Sequence, residues 1–357
     1  MDLVVVGINH RTAPVEIREK FSFSPKQIPE ANRLLKHGAA LSENVVLSTC
    51  NRTEIYAVAR RNYDSVSNIE NFLRKFHNLE PYVYKDRLYI HKNKDAVEHL
   101  FKVASGLDSM VIGEVEILAQ VKKAFEAARQ NSATGKVLNR LFEKAFNTAK
   151  KIRSQTFISR GAVSVSSVAV RLAKKILGGL KDKKVLIIGA GKVGEQLILY
   201  LKKEGIESIL VTNRTLEKAK ALAEAFNAKV LPFEDFRKTM AQMDIVITST
   251  GAPHYIIHKD ELLPLMQQRK ERPLFIIDLA VPRDVEAGPG QAHNVYLYNI
   301  DDLQNTVDET YIFRKSELDE CLKIISGSSQ RFVNWLTTEG LCRQEIKPGL
   351  SVPVKAG

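Results

Sequence analysis

Val185-Leu186-Ile187-Ile188-Gly189-Ala190-Gly191-Lys192-Val193-Gly194 decides the fold of half of this chain. Four consecutive apolar residues form a strand buried on both faces. They pass directly into Gly-x-Gly-x-x-Gly and then into a helical pattern from Glu195 to Lys203. In that setting each glycine has a duty. Gly189 permits the tight turn, Gly191 lets a pyrophosphate approach the backbone, and Gly194 allows the helix to lie close to the strand. The free N–H groups and dipole of the helix N-terminus favour the anion. Gly189, Ala190, Gly191, Lys192, Val193 and Gly194 are thus the predicted dinucleotide loop.

Working outward, strands are expected at Ser208 to Thr212, Lys229 to Leu231, Ile245 to Ser249 and Leu274 to Asp278, with a helix at Glu217 to Phe226. Gly288-Pro289-Gly290 and Val295 to Tyr298 close the unit. Apolar strands separated by helices predict a doubly wound parallel sheet, the Rossmann arrangement. An NAD-specific site needs a carboxylate at the end of the second strand to bind the ribose hydroxyls. Here that strand ends in Thr212-Asn213-Arg214-Thr215. An acid there would repel a 2′-phosphate, whereas Arg214 pairs with it, so Asn213, Arg214 and Thr215 predict NADPH.

The first half reads differently. Leu3 to Gly7, Val45 to Leu47, Ile55 to Ala59 and Tyr82 to Ile90 read as strands; Ala31 to Leu35, Val66 to Phe76 and Lys94 to Ser105 read as helices. That mixture predicts an α+β domain within an α/β chain. Two longer helices follow, Ile117 to Arg129 and Lys136 to Arg153. Gln155 to Gly161 breaks the pattern and is the expected boundary and hinge. Val163 to Leu177 is helical again and ends at Gly178-Gly179.

The chain has 357 residues, which predicts two or three domains. Its formal charge of +12 favours a polyanionic partner, and ten Lys or Arg face only Glu126 and Glu143 between Lys122 and Arg160. Cys50, Cys321 and Cys342 are too scattered for a disulfide framework or a metal cluster. No segment approaches the ~18 apolar residues of a membrane span, so a cytoplasmic protein is expected.

Ser48-Thr49-Cys50-Asn51-Arg52-Thr53-Glu54-Ile55-Tyr56 sets a cysteine in a polar loop between two apolar strands. A thiol attacks as its thiolate, which a nearby cation favours, and Arg52 stands two residues away. Most cysteines at strand ends are inert packing residues. The polar flank, Arg52 and a hydride-donor site elsewhere argue for acyl reduction through a thioester.

That stretch, with Gly7-Ile8-Asn9-His10-Arg11-Thr12-Ala13-Pro14, Gly106-Leu107-Asp108-Ser109-Met110-Val111-Ile112-Gly113-Glu114 and Asp278-Leu279-Ala280-Val281-Pro282-Arg283-Asp284, resembles the glutamyl-tRNA reductase family. The resemblance implies NADPH-dependent reduction of glutamyl-tRNA(Glu) to glutamate-1-semialdehyde, the first step of tetrapyrrole (5-aminolevulinate) biosynthesis. A glutamate-1-semialdehyde aminotransferase that receives the labile aldehyde is a candidate partner, and the sequence leaves its docking open. By residue match Cys50 is the nucleophile, Thr49 and Asn51 position the acyl group, and Arg52 clamps the glutamate carboxylate. Ser109, Glu114, Val115, Glu116 and Gln120 match substrate contacts, although many relatives carry Gln where Glu116 stands. His99 matches a histidine important for activity. Orienting the ester, moving a proton and keeping Cys50 ionised remain open as its role. Read from the residues alone, His99 is a partly buried helix histidine, and His10 is a weaker candidate for the same neighbourhood.

These readings divide the chain into residues 1–155, the catalytic glutamyl-tRNA-binding domain, 156–305, the NADPH-binding domain, and 306–357, a spinal helix with a shortened dimerisation region. Family members usually continue into a helical dimerisation domain of about a hundred residues. Here roughly 45 residues follow Thr310. Glu309 to Trp335 suits a helix, while Leu341 to Gly357 lacks apolar periodicity and is expected to be disordered. The expectation is therefore a monomer or weak dimer instead of the usual homodimer. A shikimate-dehydrogenase-like NADP oxidoreductase acting on a ketone is the rival enzyme, since it also pairs a glycine turn with Asn-Arg-Thr but needs no cysteine. An NADPH-sensing or tRNA-binding regulator is the non-enzymatic rival.

Overall fold

Both faces of the first sheet are covered, which is why its strands carry continuous apolar runs. The computed structural model describes residues 1–39, 41–59, 64–156, 158, 165–270, 272–288, 293–303 and 315–341. β1 (Asp2–Asn9) sends Leu3 and Val5 to one face and Val4, Val6 and Ile8 to the other. After α1 (Val15–Arg18) and α2 (Ile28–Gly38) come β2 (Leu41–Ser48) and β3 (Arg52–Ala59), which alternate in the same way. Next are α3 (Ser65–Phe76), α4 (Pro81–Tyr84) and β4 (Tyr89–Lys92), completing an antiparallel sheet of order β2-β3-β1-β4. This is the split β-α-β arrangement. α2 and α3 cover one face; α5 (Asn93–Ala104), α6 (Glu116–Gln130) and α7 (Lys136–Gln155) cover the other.

The strand expected at Tyr82 to Ile90 is corrected: only Tyr89–Lys92 is extended. Pro81 fits the first turn of a helix, and Tyr84 is turned inward edge-on to Phe21 with ring centroids 6.0 Å apart.

The second domain comprises α8 (Val165–Leu177), β5 (Lys184–Ile188), α9 (Lys192–Lys203), β6 (Ser208–Thr212), α10 (Leu216–Ala225), β7 (Lys229–Val230), α11 (Phe236–Met240), β8 (Ile245–Thr248), α12 (Lys259–Gln268), β9 (Leu274–Asp278) and β10 (Val295–Asn299). Its sheet is parallel, in the order β10-β9-β8-β5-β6-β7. The strand order reverses between β5 and β8, and the crevice at such a switch point is where nucleotides bind. The sequence pattern did not mark α12, whose interior holds Pro264; its start is fixed by a capping box between His258 and Glu261.

Most of the Glu309 to Trp335 stretch that suits a helix is described and is helical. Asp301–Leu303 is a turn, residues 304–314 lie outside the described residues, and α13 (Lys315–Thr338) is the helix. It packs Cys321, Ile325, Phe332 and Leu336 into the core shared by α5 and α7. The chain thus returns to its first domain after completing the second. Most of the expected hinge (residues 157 and 159–161) and most of the tail (342–357) lie outside the described residues. Among the described residues no helix is long and apolar enough to cross a membrane.

Candidate active site

Cys50 stands at the tip of the hairpin that joins β2 to β3. Thr49 N–H bonds the Arg52 carbonyl at 2.8 Å, closing the turn, and Thr49 Oγ1 accepts from the N–H groups of Asn51 and Arg52 at 3.2 and 3.1 Å. Thr49 therefore fixes the turn as well as lining the cleft above it.

That cleft is built by both domains. Thr49, Cys50, Asn51, Arg52, Ser109, Glu114, Glu116 and Gln120 line it from the first; Val165, Ser166, Val193, Leu279 and Ile300 line it from the second. Val193 belongs to the glycine-rich turn, so the predicted nucleophile and the predicted dinucleotide loop share one site. Asn51 Oδ1 is buried there without a hydrogen-bond partner, an acceptor available to a bound group. The Ser109–Glu114 loop is shaped by Gly113, at φ +81°; a Cβ there would lie 2.1 Å from the Ile158 carbonyl oxygen.

The electrostatics differ from the sequence expectation. Arg52 is held by acids and a carbonyl. Its Nη1 donates to Glu54 Oε1 at 2.7 Å and Asp108 Oδ2 at 2.9 Å, and its Nη2 to the Asp108 carbonyl at 2.5 Å. These bonds engage three of its five N–H groups. The cation beside Cys50 is Arg18, whose Nε reaches the Cys50 carbonyl at 3.4 Å. Burial, with Glu114 and Glu116 adding, pushes the Cys50 thiol up to about 12, against the pull of Arg18. Burial likewise pushes the Glu114 carboxyl up to about 7, with the Ser109 hydroxyl opposing it and Glu116 adding to it.

His99 lies behind the hairpin, outside the residues that line the cleft. Its Nε2 meets Glu54 Oε1 at 2.8 Å. Glu54 also accepts from the hydroxyls of Tyr56 and Tyr89, each at 2.5 Å. Burial alone would raise this carboxyl; His99, Arg52 and the donated bonds overcome it and hold it well below the carboxylate range. The path from His99 to the cleft runs through Glu54 and Arg52. His10 is tied into the turn by its backbone, N–H to the Asn51 carbonyl at 3.0 Å, and burial followed by Arg52 lowers its ring to about 4. Val115 turns its side chain to solvent, and its carbonyl is held by Arg153 Nη2 at 3.1 Å. Glu116 accepts from Gln196 Nε2 of α9, across the domain boundary.

The sequence marks the Asp278–Asp284 segment only through the family resemblance. It carries a clamp between the domains. Arg283 donates from Nη2 and Nε to Glu19 at 3.0 and 3.2 Å, from Nη1 to Glu16 at 3.1 Å, and from Nη2 to the Tyr255 hydroxyl. Asp278 organises the segment by accepting from the N–H groups of Ala280, Asp284 and Val285, each at 3.0 Å. A second clamp joins Arg18 to Asp301 through Nη2–Oδ1 at 2.7 Å and Nη1–Oδ2 at 3.2 Å. Their partners lie more than 260 residues apart in sequence, which no local pattern reveals.

The residues of the second domain fit a dinucleotide. Gly189 has φ +121°, and a Cβ there would lie 2.7 Å from the Ser249 carbonyl oxygen; Gly191 has open space where a side chain would stand. Ser249 Oγ and Thr212 Oγ1 are buried without partners at the same strand ends. Beside them a cavity of about 430 Å³ is lined by Asn213, Arg214, Thr215, Lys218, Thr250 and Gly251, large enough for a nucleoside and cationic on its β6 side.

This fold and this shared cleft define a nicotinamide-nucleotide-dependent oxidoreductase with a separate cysteine-bearing domain. Residues 6–156 match the family described as glutamyl-tRNAGlu reductase, N-terminal domain, and residues 171–307 match shikimate / quinate 5-dehydrogenase. Among curated proteins, glutamyl-tRNA reductase of Thermodesulfovibrio yellowstonii is 43% identical over 345 residues, 95% of this chain and 80% of that one. Its counterpart in Brevibacillus brevis is 44% identical over 96% of this chain and 75% of that one. Among solved structures, glutamyl-tRNA reductase from Methanopyrus kandleri aligns over 94% of this chain and 81% of that chain, with TM-score 0.53 and 37% identity. The chain belongs to the glutamyl-tRNA reductase family. The dehydrogenase match covers the nucleotide domain alone and leaves the cysteine-bearing domain unexplained by the ketone-reductase alternative.

Proposed function

We propose that this chain reduces glutamyl-tRNA(Glu) to glutamate-1-semialdehyde with NADPH, through a thioester on Cys50. The observation that carries this reading is the single cleft lined by both Cys50 and the glycine-rich turn at Val193. Cys50 Sγ attacks the carbonyl of the ester; the C–S bond forms and the bond to the ribose 3′ oxygen breaks. Glu114 lines the same cleft with a carboxyl near 7, which suits it to take the thiol proton as the C–S bond forms and return it to the departing 3′ hydroxyl. Asn51 offers its unpaired Oδ1 to the substrate ammonium, and the remaining N–H groups of Arg52 suit the side-chain carboxylate. His99, acting through Glu54, holds Arg52 in place. Gly189 to Gly194 would hold the pyrophosphate and Arg214, with Asn213 and Thr215, the 2′-phosphate; bound there, NADPH supplies the hydride that the thioester accepts. The C–S bond breaks, the aldehyde leaves, the thiolate takes a proton from solvent, and a cytoplasmic aminotransferase that consumes the aldehyde is the fitting next enzyme.

The test is NADPH oxidation with charged and uncharged tRNA(Glu), in wild type and Cys50→Ser. Oxidation only with charged tRNA, lost in the serine variant, is expected, as is a glutamyl adduct on Cys50 when NADPH is withheld. Equal oxidation without the aminoacyl group, or an active serine variant with no adduct, would overturn the reading.

A further inference from the structure

We propose that the groove between α7 and α13 is a polynucleotide-backbone site that seats the tRNA part of the substrate. The inference rests on the glutamyl-tRNA reading above and gives it a surface. Arg140, Lys144 and Lys151 share one exposed face of α7, at steps of four and seven residues, and Arg331 faces them from α13. The groove between them holds about 330 Å³.

Among the described residues no acid lines this groove. Lys144 and Lys151 make no ion pair among the described residues. Arg140 lies over the Trp335 ring, 4.3 Å from its centroid, which fixes the guanidinium without neutralising it. Arg331 gives one hydrogen bond to Ser328 Oγ at 3.0 Å. Glu339, the acid at the far end, is already held by Lys136 at 2.5 Å and accepts from Trp335 Nε1 at 3.1 Å. Four cations along one groove repel one another until an anion enters, and a phosphodiester chain supplies negative charges at regular spacing.

The groove also leads to the right place. Just beyond Lys151, Arg153 holds the Val115 carbonyl, so α7 ends on the loop that brings Glu114 and Glu116 into the cleft. From Lys151 back to Arg140 the cations extend about 16 Å along the helix. Nucleotides whose acylated 3′ end occupies the cleft can follow this row. Beside the cations the lining offers neutral hydrogen-bonding groups such as Asn147, and the Phe332 and Trp335 rings, contacts that suit a sugar-phosphate backbone and base faces without reading sequence.

Lys144→Ala/Lys151→Ala in the full chain tests this, with both lysines exposed and folding followed by Tm. At about 0.1 M salt the KM for glutamyl-tRNA should rise about tenfold while kcat at saturation and NADPH affinity hold. The log–log salt slope of uncharged-tRNA affinity, read by fluorescence anisotropy, should lose about 1 to 2 units. Lys144→Arg/Lys151→Arg should restore both values, and Lys175→Ala/Lys181→Ala, which removes the same charge from the nucleotide domain, should change neither. An unchanged KM and slope in the first variant, or an equal loss in the nucleotide-domain control, overturns the groove assignment. Wild type that reduces no glutamyl-tRNA overturns the functional reading instead, and the anisotropy arm still decides the groove.

Discussion

Glu54 collects donors from Arg52, Tyr56, Tyr89 and His99 on one buried carboxylate, and so converts a surface-facing motif into a rigid one. Glu54→Gln leaves the Arg52 charge half-answered in a buried site and should cost about 3–5 kcal/mol. Tyr56→Phe removes one neutral donor and should cost about 1–2 kcal/mol. Chemical denaturation of both variants checks the ranking; equal losses would mean that packing, and not the charge network, dominates there. Glu114 gives a pH prediction with a defined sign. Burial raises its carboxyl to about 7, so the proton-accepting form fills only as pH rises through that value. Accordingly kcat/KM should climb between about pH 6 and 8, and Glu114→Gln should flatten the climb and lower the plateau roughly a hundredfold. Cys50 was legible because its motif is continuous. The Glu54 network was not, because Tyr89 and His99 join from 35 and 45 residues away.

Among the elements, the nucleotide domain was the most readable part. Its central strands β5, β8 and β9 are buried on both faces, so a plain apolar run marks each of them, and the β5–α9 turn carries a spacing that few other structures need. The errors fell where local composition misleads. Pro264 hid α12, and Tyr and Val near Pro81 suggested a strand where a helical turn forms. The β6 end makes a sharp prediction. Arg214 lines the nucleoside cavity with Lys218, and no acid lines it. Arg214→Ala should weaken NADPH by about 1–3 kcal/mol while leaving NADH nearly unchanged. Titration of both nucleotides decides; equal weakening would show that Arg214 does not read the 2′-phosphate.

For the molecule as a whole, the return of α13 onto the first domain couples the chain's last described helix to the core under the hairpin. Phe332→Ala should therefore cost about 3–5 kcal/mol, seen as a lowered Tm, although Phe332 lies far from the cleft in sequence. This packing and the two clamps were invisible in the sequence, since both depend on where distant segments meet. The closed cleft keeps only about 50 Å³ of free space, enough for a water molecule or two and too little for a glutamyl group. On the proposed mechanism the Arg283 and Arg18 clamps are expected to part to admit substrate and re-form for reduction. On that mechanism Arg283 is expected to act as a fidelity device. An acylated Cys50 has two fates, reduction to the aldehyde or a leak to free glutamate, and the time spent closed sets the partition between them. With Arg283→Ala, each charged tRNA consumed should yield less aldehyde and more glutamate, an imbalance read as a stoichiometry of NADPH oxidised per ester cleaved that falls below one. A ratio held at unity would show that closure is guarded elsewhere.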